Sequence, residues 1–231
     1  MSSLKSINIP LIFYESMVWL LCRICLFFFR IKIQGREKVI EWKKKNKISF
    51  VAIARHRSLW DAGLMPVAFG GSEYTMMHYV VKSTLKPYFR QIPFFNKFFT
   101  FINREKIKLS SIERLTNFLI QGINLAIFPE GTTIPDYKEA KRGVIVIIKK
   151  AEQKLRIQIP IFPLNIKIIK GFYGKPKGRW QDYLLRRVNI ELKIGEPIFL
   201  KELEKLVGQD LLRKDKEEEM VKLLLKKADQ I

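Results

Sequence analysis

The segment VAIARHRSLWDAG, residues 51–63, places His56 at the end of an apolar run and Asp61 five residues later. An imidazole that donates one ring N–H to a carboxylate is suited to act as a general base, because the carboxylate fixes the tautomer and raises the basicity of the other nitrogen. On one continuous helix, positions five apart lie about 140° around the axis, at about 3.6 residues per turn, and do not meet. Contact therefore requires His56 to precede a helix and Asp61 to stand in its first turn. The sequence allows this: the apolar run ends at Ala54, Ser58 can cap a helix, and Asp61 then falls at its third position. Ser58 and Asp61 equally form an S-x-x-D capping box, which has no catalytic role. The spacing alone leaves both readings open.

A second segment, FPEGT at residues 128–132, follows a short apolar stretch. Proline followed by Glu130 and Gly131 makes a rigid turn at the carboxyl end of a strand, where open α/β sheets bind ligands. Gly131 lets backbone N–H groups approach an anion closely. An ordinary turn with a solvated Glu130 fits the same residues. Other chemistries have less support. His78 lies within an apolar strand pattern without a matching acid, as a packed core histidine does. No G-x-S-x-G nucleophile elbow occurs. Two distant histidines, with Cys22 and Cys25 inside an apolar run, make neither a metal site nor a disulfide framework. No metal is expected, and the compartment is expected to be reducing.

The elements that must position these residues alternate along the chain. ISFVAIA (48–54), YTMMHYVV (74–81), NLAI (124–127), IQIPIFPLNIKII (157–169) and RVNIELKIG (187–195) read as strands. REKVIEWKKKN (36–46) and EAKRGVIVIIKKAEQK (139–154) read as helices. KLSSIERLTNFLIQG carries apolar residues at 109, 112, 115, 118 and 119 and stops at Gly122, the pattern of an amphipathic helix. The expected fold is a single α/β domain with a mixed, largely parallel sheet flanked by helices, preceded by an N-terminal amphipathic membrane-associated helix. The expected organisation is an apolar helix over 1–33, the α/β domain over 34–199, and charged helices over 200–231 that pack on it and cover an edge.

The chain of 231 residues has a formal net charge of +21. Residues 201–231 are balanced, so the excess lies in the first 200. Such a field attracts polyanions, whether nucleic acid, anionic bilayer, phosphorylated small molecule or acidic carrier protein. The N-terminal run IPLIFYESMVWLLCRICLFFFRIKI is interrupted by Glu15 and Arg23, which favours an interface-lying helix over a span. No small-residue cleavage site follows, as a signal peptide would require. Residues 82–108 hold seven Lys/Arg and seven Phe/Tyr. That mixture suits a membrane-facing surface, and equally a helix on a sheet with snorkelling lysines.

Together the motifs resemble the glycerolipid acyltransferase family, which makes phosphatidic acid from lysophosphatidic acid. Its His-x4-Asp block matches HRSLWD at His56 and Asp61, and its aromatic-Ile-x-Arg block matches FINR, ending at Arg104. Its Phe-Pro-Glu-Gly-Thr block matches residues 128–132, and its apolar block with proline matches IPIFPLNI at 159–166. Order and spacing agree, and KRG at 141–143 stands where the family has a basic-x-Gly; the likeness covers roughly residues 15–195. Two positions depart. Thr133 replaces a common Arg, leaving the acceptor phosphate to Arg104, with Lys141 or Arg142 as further candidates. The glycine common before the second block is absent from NKFFTFINR, and nothing in the residues explains it.

The resemblance implies acyl transfer from an acyl thioester, acyl-CoA or acyl carrier protein, to the sn-2 hydroxyl of lysophosphatidic acid, without an acyl-enzyme. It implies His56 as base and Asp61 as its orienter. Arg104 would hold the acceptor phosphate in a pocket shaped by Glu130, Gly131 and Thr132. No cofactor beyond the thioester co-substrate is expected. The implied partners are an anionic membrane surface, a lysophospholipid acceptor and the donor's carrier protein or coenzyme A. The implied location is the cytoplasmic face of a membrane, as a peripheral or monotopic protein. Another lysophospholipid or glycerol-3-phosphate is the alternative acceptor. A basic membrane- or nucleic-acid-binding module is the non-enzyme alternative, but no recognised nucleic-acid motif occurs and none is expected as a partner. A scaffold that kept the fold and lost turnover is a third reading, opposed by the complete blocks.

Overall fold

The computed structural model describes residues 16, 19–20, 23–56, 60–70, 77–83, 99–103, 108–130, 141–170, 188–207 and 212–231. Among them, seven strands form one sheet: β1 (Phe29–Gln34), β2 (Val51–Ala54), β3 (Met77–Lys82), β4 (Phe99–Ile102), β5 (Asn124–Ile127), β6 (Ile161–Lys170) and β7 (Val188–Ile194). Their order is β1-β7-β6-β2-β5-β3-β4. The five strands from β6 to β4 are parallel to one another, while β7 is antiparallel to β6 and parallel to β1. The expected mixed, largely parallel sheet is therefore present.

Helices cover both faces, which is why the central strands read as unbroken apolar runs. On one side lie α1 (Arg36–Asn46) and α2 (Asp61–Phe69), which pack with Phe50, Ala52, Ala54, Ala126, Phe162 and Leu164. On the other lie α3 (Leu109–Ile120), α4 (Gly143–Leu155), α5 (Leu200–Leu206) and α6 (Arg213–Gln230), over Val51, Ile53, Leu125, Ile127 and Ile161. Alternate residues of β2 thus enter opposite cores, as the period of two in a strand requires. In α3, Ile112, Leu115 and Leu119 are buried as the spacing predicts, and Gly122 adopts a left-handed φ of 83° just past its end; Leu109 is exposed. Gly35, with φ 82°, turns the chain from β1 into α1, and a Cβ there would stand 2.2 Å from the carbonyl oxygen of Ile194. Only glycine fits that turn.

Three expectations need correction. The apolar helix expected over 1–33 gives way at Phe29 to the edge strand β1, so the boundary expected after residue 33 falls inside a strand. Within 82–108, residues 99–102 form edge strand β4 rather than a helix on the sheet; 84–98 and 104–107 lie outside the described residues. The C-terminal helix α6 covers the central strands β6 and β2 rather than an edge. Its buried stripe of Met220, Val221, Leu224, Leu225 and Ala228 is wide enough to roof the middle of a sheet.

Residues 23–28 are helical and run directly into β1. Trp19, Leu20, Ile24 and Phe27 are exposed, the Arg23 guanidinium lies over Trp19, and Cys25 faces the core. Phe28 and Phe29 pack on Trp60, which ties this segment to the start of α2. Among the described residues, no helix is long and apolar enough to cross a membrane.

Candidate active site

Parallel pairing of β2 with β5 sets Val51 beside Leu125 and Ile53 beside Ile127. Continued past the strand ends, that register puts residues 55 and 56 next to 129 and 130. The two motifs, more than seventy residues apart, therefore meet at the carboxyl edge of the central strands, the position where such sheets bind ligands.

His56 precedes α2 and Asp61 is the first residue of that helix. His56 Nδ1 and Asp61 Oδ2 are 3.3 Å apart, and the carboxylate is buried. A carboxylate only accepts, so this bond places the proton on Nδ1 and leaves the Nε2 lone pair available. Regular helix starts two residues later than a Ser58 cap would give; Trp60 takes the cap position, and Ser58 lies outside the described residues. The imidazole also stacks on the Phe128 ring, with centroids 4.7 Å apart. A carboxylate at one edge and a ring on one face restrict how the imidazole can turn.

Glu130 is not solvated. Its side chain is fully buried; one oxygen accepts from Arg55 Nε at 2.8 Å and the other from the His56 main-chain N–H at 3.0 Å. Strand alternation explains why neighbours diverge here: His56 continues the side of Ala52 and Ala54, toward α2, and Arg55 that of Val51 and Ile53, toward α6. There Arg55 Nη1 donates to Asp229 Oδ2 of α6 at 2.6 Å. Burial pulls the Arg55 pKa down, but the bonds to Asp229 and Glu130 outweigh it and hold the group above its ordinary value.

Beside Phe128 an apolar pocket opens between β3–β5 and helices α3 and α4, lined by Val80, Ile102, Ile127, Val144 and Ile147 among others. Lys141 also lines it and is exposed, and its backbone N–H donates to Pro129 O at 3.1 Å. Arg142, a candidate phosphate contact in the sequence, is bound by the buried Glu217 of α6 at 3.1 Å. Arg104, Gly131 and Thr132 lie outside the described residues. His78 is buried, 2.7 Å from Thr100 Oγ1 and against the Phe118 ring, as a packed histidine. Sequence reasoning missed Arg55 and Asp229. Alternation after Ala54 would have found the side Arg55 faces; nothing local marks Asp229.

An open α/β sheet whose central strands end in a histidine held by a buried carboxylate, beside an apolar pocket, defines the class to which this protein belongs. The family model Acyltransferase matches residues 30–167, more than half of the chain, and the chain belongs to this family of glycerolipid acyltransferases. It is an acyl-transferring enzyme. No curated protein matches the chain.

Proposed function

We propose that the protein moves a fatty acyl group from an acyl thioester to the sn-2 hydroxyl of lysophosphatidic acid, giving phosphatidic acid. The observation that carries this reading is His56, oriented by Asp61 and stacked on Phe128, a residue that also lines the apolar pocket. The imidazole and the apolar pocket thus have Phe128 in common. His56 Nε2 takes the hydroxyl proton as the oxygen attacks the thioester carbonyl, and Asp61 stabilises the imidazolium. The tetrahedral intermediate then expels the thiolate, a good leaving group, which recovers the proton. In this reading hydrogen-bond donors near the start of α2 stabilise the oxyanion. Arg104 holds the acceptor phosphate, with Lys141 as a further cation, in a pocket shaped by Glu130, Gly131 and Thr132.

The donor is a coenzyme A or acyl carrier protein thioester, and no other cofactor takes part. Exposed Trp19, Leu20, Ile24 and Phe27, next to an excess of cations, support docking on an anionic bilayer at its cytoplasmic face. Purified protein incubated with each thioester and with lysophosphatidic acid, a second lysophospholipid or glycerol-3-phosphate tests the reading. Lysophosphatidic acid gives the highest kcat/KM, and His56→Ala lowers kcat about 10²- to 10⁴-fold while the protein stays folded. Wild-type turnover by a folded His56→Ala protein would reject the mechanism; a preference for another acceptor would reject the substrate.

A further inference from the structure

The ion pairs behind His56 reach a helix that none of the four sequence blocks includes. Arg55 touches two carboxylates, and each leads elsewhere. Through Nε it meets Glu130, whose other oxygen takes the His56 main-chain N–H; through Nη1 it meets Asp229. The line Asp229–Arg55–Glu130–His56 N therefore joins the end of α6 to the backbone that carries the base.

Asp229 does not depend on Arg55 for its own position. Its main-chain oxygen accepts from Asn165 Nδ2 of β6 at 3.2 Å. Two residues on, Ile231 packs over Gly195, where an added Cβ would stand 2.4 Å from its Cδ1 and 3.0 Å from Pro163 Cγ. Below, Met220, Val221, Leu224, Leu225 and Ala228 are buried on the sheet. The carboxylate is thus a fixed anchor on a packed helix, and Arg55 is the group it restrains. Arg55 in turn balances the charge of Glu130, whose side chain is fully buried and which without that cation would be left as a poorly compensated anion.

We propose that Asp229 is a positioning residue for acyl transfer: through Arg55 and Glu130 it fixes the main chain at His56, and so the aim of the imidazole. The inference rests on His56 acting as the base, yet the mechanical link can be read without turnover. A displacement of about 1 Å at a reacting group costs up to about a hundredfold in rate.

The experiment compares the full chain with Asp229→Asn and Asp229→Glu. It measures kcat and KM for lysophosphatidic acid, and hydrogen exchange of the peptide ending at residue 56. In Asp229→Asn, kcat falls about tenfold or more with acceptor KM within about twofold, and exchange at the His56 amide rises. Asp229→Glu recovers most of kcat, because the charge returns on a side chain long enough to reach Arg55. A merely structural Asp229 would lower the melting temperature and leave kcat of the folded protein and the His56 exchange unchanged; either unchanged value overturns the proposal. Should the wild-type protein turn over none of the acceptors, the functional reading fails by itself, and exchange at His56 alone decides the link.

Discussion

Asp61→Asn separates an orienting carboxylate from a structural residue in the first turn of α2, since asparagine has the same shape without the charge. Asp61 is fully buried and its oxygen lies 3.3 Å from His56 Nδ1. With charge spread over ring and carboxylate, the centres of charge are about 4 Å apart, and at an effective dielectric of about 20 the attraction is about 4 kcal/mol. That energy is gained only once His56 takes the proton, so it acts on the transition state and not on substrate binding. A loss of about 4 kcal/mol is about a thousandfold in kcat, with acceptor KM little changed. Steady-state assays with lysophosphatidic acid and an acyl thioester, on protein with a cooperative thermal transition, read this directly. A kcat within about threefold of wild type would refute the reasoning and leave Asp61 as a structural residue at the start of α2. A rise in KM without loss of kcat would place it in acceptor binding instead.

Lys43 gives a pH test of the fold. Its ammonium is buried between α1 and the approach to β5, donating to Ile48 O, Gly122 O and Asn124 Oδ1, and burial lowers its pKa from 10.5 to about 8. The folded state therefore disfavours the charged form. The full penalty stands below pH 8, and it is relieved as pH rises from about 8 toward 10.5, where the unfolded chain binds more protons. The relief amounts to about 3 kcal/mol, and Lys43→Met removes it. Urea midpoints of both proteins at pH 7.5 and near 10 check this, and parallel pH profiles would contradict it. Gly35→Ala drives a Cβ against the Ile194 carbonyl at a left-handed φ and costs about 3 kcal/mol or more. The melting temperature falls by about 6–12 °C, measured by calorimetry, and an unchanged value would show that the turn can rearrange.

Edge and centre of the sheet differed in how plainly the sequence showed them. Central strands such as VAIA and NLAI are buried on both faces and read as unbroken apolar runs. The edge strand β1, with exposed Arg30 and Lys32 alternating with Phe29 and Ile31, is short, charged and followed by glycine, so no single pattern marked it. Strand β4 was hidden among aromatic and basic residues that fit more than one environment. The charge balance of 201–231 suggested a peripheral cover, whereas the apolar stripe of α6 put that helix over the middle.

For the site, local sequence determined what short-range geometry can determine: a strand that stops at Ala54, a helix with Asp61 in its first turn, and hence a histidine within reach of that carboxylate. It also determined the turn at Pro129 and Glu130. Only the tertiary structure decided that β5 lies in register beside β2, which turns Glu130 from a solvated residue into the acceptor for His56 N–H. Only it brought Asp229 to Arg55 across 174 residues. The reason is physical. Helix and strand periodicities come from bonds between near neighbours, so they leave a trace in residue spacing. Strand order and buried ion pairs are settled by packing whole elements together, and that leaves no local trace.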